Sequence, residues 1–303
     1  MRTSGTSGII VEFFKYSIAE EGNDDAANPP SPLRQVLLSL LQLMFDNSHL
    51  AVTLTAAELV TVPKKGDLSN RNNYRGISLI EVIIKILMTV VTRRISDGLE
   101  KTERITPAQA GFRSKEEVVA QVVTLYDICK RREHAGKPTL VAFIDMVKAY
   151  DCVPQGASLF KANRIGVKNK VLNLLRNAYK SAVCSVRGSG VVFPLERGLR
   201  QGGPSSPDEF KIFVNDFLGT QVGVEVPYSN PPLYVPGLLL ADDAVILTES
   251  IPAMQQALDE KQEWANTNGM SFGLSKCGVM MIGPATETEA NLATLKAAVI
   301  TLN

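Results

Sequence analysis

Asp242 and Asp243 stand side by side between two apolar half-strands, Leu238-Leu239-Leu240-Ala241 and Ala244-Val245-Ile246-Leu247. Acids in turns are common and are usually just solvated. Here the flanks are apolar on both sides, so the turn is held by a buried hairpin. Adjacent like charges so placed repel each other unless a cation offsets them. Asp145 is a second such case, an acid that ends the apolar strand Leu140-Val141-Ala142-Phe143-Ile144. Buried or half-buried carboxylates need partners. Three carboxylates from neighbouring strands can converge on hard divalent cations, which take oxygen ligands of the kind Mg²⁺ prefers. Two such ions activate a nucleophilic hydroxyl and stabilise the leaving oxygen in phosphoryl transfer.

The elements that must hold these acids are legible from periodicity. Ser31-Pro32 opens a helix running to Phe45, with proline at its first position. Pro63-Lys64-Lys65-Gly66-Asp67 is a loop signal, and a polar stretch follows it to Asn73. Leu79, Val82, Ile83, Ile86, Leu87, Val90 and Val91 give a helical stripe over Ser78–Ile95, with Gly98 just past its end. Ser114 and Glu117 have capping-box spacing for a helix reaching His134 before Gly136. Thr139–Ile144 is short and β-rich, residues 155–180 are helical, and Val183–Val192 is a hairpin around Arg187-Gly188-Ser189-Gly190. A glycine-rich turn leads into a helix over Pro204–Leu218. Ile251–Asn268 is another helix, and Val279–Ile282 a last strand. The pattern predicts an α+β fold: an antiparallel sheet backed by helices, after a mainly helical first lobe.

The chain has 303 residues, 45% of them apolar and 21% charged, which suits two lobes with real cores and excludes a disordered chain. Residues 1–30 are polar and acidic and read as a poorly ordered tail. Apolar runs break well before the length of a membrane span, and no secretory signal is visible, which points to an intracellular protein, nuclear or cytoplasmic, with no membrane partner. The four cysteines are far apart and only two histidines occur, His49 and His134. That argues against a zinc site or a disulfide framework and for reduced thiols. The net charge of +1 conceals a strong asymmetry. Residues 161–200 carry nine basic side chains against Glu196, net +8, whereas residues 201–303 carry four basic and twelve acidic ones, net −8. Solvated helix faces are the simple reading. A track for a polyanion beside a carboxylate metal site is the sharper one.

Several segments carry a family resemblance. Phe143-Ile144-Asp145-Met146-Val147-Lys148-Ala149-Tyr150-Asp151-Cys152-Val153 resembles motif A of reverse transcriptases. Arg197-Gly198-Leu199-Arg200-Gln201-Gly202-Gly203-Pro204-Ser205-Ser206-Pro207 resembles motif B, Leu240-Ala241-Asp242-Asp243 motif C, and Trp264 through Gly269 to Lys276 motif D. Upstream, Pro63–Asp67, Asn73-Tyr74-Arg75-Gly76-Ile77-Ser78-Leu79 and Gln109-Ala110-Gly111-Phe112-Arg113 resemble the fingers motifs of non-LTR (LINE-type) retrotransposon reverse transcriptases. The likeness covers about residues 57–283.

The resemblance implies a right-hand polymerase palm over 139–283 with a mainly helical fingers region over 31–138. Residues 284–303 would be a short remnant, too short for a helical thumb, so a fragment with its thumb missing is expected. It implies an RNA-directed DNA polymerase acting on an RNA template, a DNA primer and deoxynucleoside triphosphates, within a larger retrotransposon polyprotein. Asp145, Asp242 and Asp243 would hold two Mg²⁺ ions, Mn²⁺ being the other candidate, with the Met146 carbonyl as a further ligand. Tyr150 would exclude the sugar 2′-hydroxyl. Gln201 and Gly202 would lie against the nucleotide, and Arg75 with Lys64 or Lys65 would grip the triphosphate. Lys276 would protonate the leaving pyrophosphate or stabilise its charge. Core packing for Tyr150 and surface exposure for Lys276 are the plainer readings. Asp151 is expected to order the turn after motif A.

Some positions depart from the family pattern. Leu240 replaces an aromatic residue, Gly76 a proline that would stiffen a fingers loop, and Gly203 an aspartate. Asp208-Glu209 replace apolar residues at the start of the motif B helix, where acids suit the helix dipole. Gly273 stands where asparagine is common. These changes fit either an active element or one drifting toward inactivity. The rival readings are a group II intron-type reverse transcriptase and a catalytically inactive nucleic-acid-binding remnant.

Overall fold

The computed structural model describes residues 7–14, 32–114, 116–180 and 182–283. Two compact units emerge. One comprises the chain up to Gly98 together with Ser158–Glu209. The other comprises Leu99–Ala157 together with the chain from Phe210 onward. These units cut across the contiguous division at residue 138 read from the sequence.

In the first unit, helix α1 (Pro32–Asp46) is followed by a helical turn, α2 (Val52–Thr55), and a hairpin of β1 (Ala57–Pro63) and β2 (Tyr74–Ile80). The loop signal at Pro63–Asp67 is the hairpin's connection, and Arg71–Asn73 forms a 3₁₀ turn within it. Strand β1 escaped the sequence reading because only Ala57 is fully buried, so apolar and polar residues do not alternate cleanly. Helix α3 (Val82–Lys101) starts later than predicted. Ser78–Ile80 belong to β2 instead, because three consecutive buried residues there fit a strand end as well as a helix. Gly98 lies inside α3, with open space where a side chain would project. Gly76 is likewise in a strand, opposite Thr61, and not in a loop.

The 155–180 region is two helices, α6 (Gln155–Ile165) and α7 (Asn169–Tyr179), which follow a short α5 (Ala149–Cys152). They are separated at Gly166, whose φ of 112° no other residue adopts readily. Strands β4 (Val183–Val186) and β5 (Val192–Pro194) form the expected hairpin. They complete a four-stranded sheet of order β2-β1-β4-β5, in which β1 and β4 pair in parallel, Ala57 opposite Cys184. Of the expected tail, residues 7–14 are described and pack: the Ser7 N–H and hydroxyl donate to the buried Glu81 carboxylate at 2.6 and 2.5 Å, and Phe14 is buried. The rest of 1–30 and all of 284–303 lie outside the described residues.

In the second unit, helix α4 (Val118–His134) begins at Glu117, which makes no side-chain cap, so the Ser114 capping box does not form. Its end, before Gly136, is as predicted. Strand β3 (Thr139–Ile144) has its predicted bounds. Helix α8 (Ser206–Phe213), in which the chain passes from the first unit to the second, is shorter than predicted. Strands β6 (Val224–Val226) and β7 (Leu233–Val235) form a small separate ribbon. Strands β8 (Gly237–Leu240), β9 (Asp243–Thr248) and β10 (Gly278–Ile282) join β3 in an antiparallel sheet of order β10-β3-β9-β8. Ile128 and Cys129 of α4 pack with Val141, Leu247, Val224 and Val226 in one buried cluster. Helix α9 (Ile251–Asn268) packs against β9 and β3. It is capped by the Ser250 hydroxyl, which accepts from the Ala253 N–H, and closed by Gly269 at φ 64°. Buried Arg132 donates to Thr139 Oγ1, the Pro138 and Glu225 carbonyls and the Glu249 carboxylate, fastening α4 to the start of β3. All four cysteines are free thiols.

Candidate active site

The acids take their places from strand register. Ile144 pairs with Ala244, so Asp145 and Asp243 mark the same end of neighbouring strands β3 and β9. Leu240 pairs with Asp243, leaving Ala241 and Asp242 as a two-residue turn in which Ala241 has a left-handed φ of 58°. Partial burial of Asp243, and then the charges of Asp242 and Asp145, push its carboxyl above the usual carboxylate range. Much of this residue still reaches solvent, but all three influences act in one direction, and only Lys276 opposes them.

Lys276 sits in the short 3₁₀ turn Leu274–Lys276 and donates to both Asp145 oxygens, at 3.0 and 3.2 Å. That bond, and then the three aspartate charges, raise the Lys276 ammonium above its ordinary value, so it keeps its proton at neutral pH. The backbone around Asp145 is tied to the same segment. The Asp145 carbonyl accepts from the Gly273 N–H at 2.8 Å, the Asp145 N–H donates to Cys277 Sγ at 3.4 Å, and Met146 bridges Phe272. A Cβ at Gly273 would lie 2.6 Å from Asp145 Oδ2, so only glycine leaves that carboxylate where it is. Gly273 and Cys277 were not singled out by sequence as neighbours of Asp145; their contact runs across more than a hundred residues, and no local pattern announces it.

The acids are flanked by an apolar cleft lined by Val118, Val122 and Leu125 of α4 and by Phe143 and Leu239, with Asp145, Asp243 and Lys276 also on its wall. Tyr150 lies in α5, entered through Lys148 at φ 45°. The Tyr150 ring stacks on Phe210 at 4.8 Å between centroids and meets Phe112 edge-on at 6.3 Å. The packing reading of Tyr150 is therefore part of the answer, and the residue is half-buried.

The other sequence-predicted residues belong to the first unit. Val62 pairs with Arg75, and the Lys64 N–H donates to the Asn73 carbonyl, so Lys64, Lys65 and Arg75 share one exposed end of the β1–β2 hairpin. The Gln201 carbonyl accepts from the Ser78 N–H at 2.7 Å. Gly202 follows at φ 105°, with Ser78 O 3.0 Å from where a Cβ would be. The motif B turn is thereby fixed on β2. Asp208 and Glu209 lie in the first turn of α8, as expected, and both are buried, Asp208 accepting from the Ser96 hydroxyl at 2.8 Å.

As a donor set for a metal, Asp145, Asp242 and Asp243 offer only oxygen, and the charges of Asp242 and Asp145 add to the burial that raises Asp243, which fits a hard divalent cation. Among the described residues, no three carboxylate, thiol or imidazole side chains gather round a single point, and Lys276 provides the positive charge beside Asp145.

Residues 62–296 match the family described as reverse transcriptase (RNA-dependent DNA polymerase). The chain is 24% identical to the Pol polyprotein of a type-1 R2 retrotransposable element of Popillia japonica, over 78% of this chain and 34% of that protein. It is 22% identical to the Pol polyprotein of the type-2 element R2DM of Drosophila melanogaster, over 87% of this chain and 25% of that one. With the RNA-directed DNA polymerase of the mobile element jockey of Drosophila funebris it shares 28% identity, over 68% and 23%. The chain thus spans about a quarter to a third of the length of these relatives. In fold it resembles apo telomerase of Candida tropicalis truncated from its C-terminal domain, with a TM-score of 0.57 at 14% identity, over 88% of this chain and 59% of that one. No helix of the described residues is long and apolar enough to cross a membrane.

Proposed function

Because the chain belongs to the reverse transcriptase (RNA-dependent DNA polymerase) family, we propose that it forms the fingers and palm of a non-LTR retrotransposon enzyme, part of a longer polyprotein. It extends a DNA primer on an RNA template. The observation that carries this reading is the register that sets Asp145 beside Asp243, with Asp242 in the adjoining turn. In the reaction the primer 3′-oxygen bonds to the α-phosphorus of a deoxynucleoside triphosphate, the bond to the β-phosphate oxygen breaks, and pyrophosphate leaves. Asp145, Asp242 and Asp243, with the Met146 carbonyl, would hold Mg²⁺ or Mn²⁺. Such ions, when bound, favour loss of the hydroxyl proton and offset the charge on the leaving oxygens.

The chain's own groups do the rest. Lys276 keeps a proton on Nζ at neutral pH and is 70% exposed, so it is able to turn from Asp145 and give that proton, or its charge, to pyrophosphate. The Tyr150 ring, braced by Phe210, excludes the 2′-hydroxyl of a ribonucleotide. Gln201 and Gly202 offer backbone to the nucleotide, while Arg75 with Lys64 or Lys65 grips the triphosphate.

Primer extension on an RNA template with Mg²⁺ tests this. Incorporation is expected, with its loss on chelation and in Asp243→Asn. Tight primer–template binding without incorporation, under any divalent ion, would instead support the nucleic-acid-binding remnant.

A further inference from the structure

Gln109 is fully buried, yet it is part of neither the metal site nor the nucleotide contacts proposed above. Its carboxamide oxygen accepts two backbone hydrogen bonds, from the Gly111 N–H at 2.7 Å and from the Ala241 N–H at 3.1 Å. Two N–H donors on one atom leave no ambiguity about which end of the amide is oxygen. The amide nitrogen is buried without a hydrogen-bond partner. A buried polar group left partly unpaired is a cost that an apolar residue would avoid. The oxygen must therefore matter at this position.

What it holds is the turn of β8 and β9. Ala241 precedes Asp242 and adopts φ 58°, a conformation residues other than glycine, asparagine and aspartate seldom take. The segment carrying Gln109 lies along β8 as an extra edge: Leu239 N–H donates to the Ala108 carbonyl at 2.8 Å and Ala110 N–H to the Leu239 carbonyl at 2.9 Å. Gly111 closes on the same turn so tightly that a Cβ there would lie 2.2 Å from Ala241 N. Backbone contacts thus bring the segment to the turn, and one side-chain oxygen fixes the peptide leading into the paired acids.

We infer that Gln109 is a positioning residue for Asp242 and Asp243: by accepting from the Ala241 N–H it holds the left-handed turn that aims these carboxylates. Its effect on turnover rests on the polymerase reading above; the hydrogen bond and its effect on ion binding do not require incorporation.

The test uses the whole chain with Gln109→Met, which keeps size and loses the acceptor, and Gln109→Glu, which keeps an acceptor at the same reach. For Gln109→Met we expect Mn²⁺ affinity, read by electron paramagnetic resonance, to fall about tenfold, and kcat to fall roughly ten- to a hundredfold. KM and primer–template affinity should stay within about twofold, and Gln109→Glu should recover most of the loss. A folded Gln109→Met with unchanged Mn²⁺ affinity and kcat would overturn the inference, whatever its melting temperature. Amide hydrogen exchange in the unsubstituted chain decides the matter if Gln109→Met does not fold. Protection of the Ala241 amide supports the clamp, and exchange at the rate of an open turn overturns it. A parent chain that incorporates nothing but shows Ala241 protection and the Mn²⁺ difference would sink the polymerase reading and keep this one.

Discussion

Glu209 is a carboxyl group sealed from solvent, with neither oxygen in a hydrogen bond of good geometry. Burial raises it to about 7, and the nearby Ser205 and Tyr179 hydroxyls and Arg200 only partly offset that; Asp208 adds to it. Tyr179 is pushed up in turn by its own burial, while Arg200 Nη2 donates to the Thr55 and Ala178 carbonyls. Because the folded chain holds a proton on Glu209 that an unfolded chain releases near 4.5, stability is greatest below that value and falls as pH rises to about 7. The loss is on the order of 3 kcal/mol. Glu209→Gln should therefore unfold at higher urea than the parent at pH 8 and at about the same urea at pH 4; equal midpoints at both would show that the acid is not protonated by the fold. Sequence alone offered a helix start with two acids, a favourable pattern with the helix dipole. It could not show that both are buried, Asp208 against the Ser96 hydroxyl and Glu209 beside Tyr179, partners distant in the chain. Tyr150 is the converse case. Its motif position suggested the nucleotide gate, and the structure adds its stack on Phe210. Tyr150→Val should admit ribonucleotides while keeping most deoxynucleotide incorporation, measured by competition between the two. Unchanged discrimination would leave the ring a packing residue alone.

Among the elements, the turn before Leu274–Lys276 is the most exacting, since Gly273 presses against the Asp145 carboxylate. The atom in the way is the tip of a side chain, and Gly273 has an ordinary negative φ of −85°. Gly273→Ala should therefore displace the carboxylate and leave the fold intact: extension should fall at least tenfold while stability changes by about 1 kcal/mol or less. A variant that melts early, or one that keeps full activity, would contradict this. Elements with a strong local signature were read correctly from sequence. Thr139–Ile144 is a run of apolar β-formers closed by an acid, and Ile251–Asn268 has a serine cap and a glycine stop. The errors fell where one pattern serves two structures. Ser78–Ile80 ends a strand and adjoins a helix of similar composition, and only pairing with Ala57–Leu59 decides between them.

Over the whole molecule, charge is distributed by unit. Of the basic residues in 161–200, Arg200 is buried, and Lys170 and Arg187 pair with Asp46 and Glu58. Arg164, Lys168, Arg176, Lys180 and Arg197 remain exposed. Primer–template binding should weaken steeply with salt. Replacing Arg164 and Lys168 by glutamine should flatten the log–log salt slope by about 0.9 for each phosphate that is no longer neutralised; a slope unaltered by either change would remove this surface from the binding track. The sequence showed the charge asymmetry and the family motifs, but not the interleaving of the units, because which segments pack together depends on pairings such as Ala57 with Cys184. That parallel pairing also bears on how the chain is made. At roughly 5–20 residues per second, the ribosome delivers β4 on the order of ten seconds after β1. Until then the β1–β2 hairpin must wait with one edge open, and an exposed edge recruits strands from other chains. Nascent chains stalled before Val183 should therefore need a chaperone to stay soluble, and chains released after Pro194 should not.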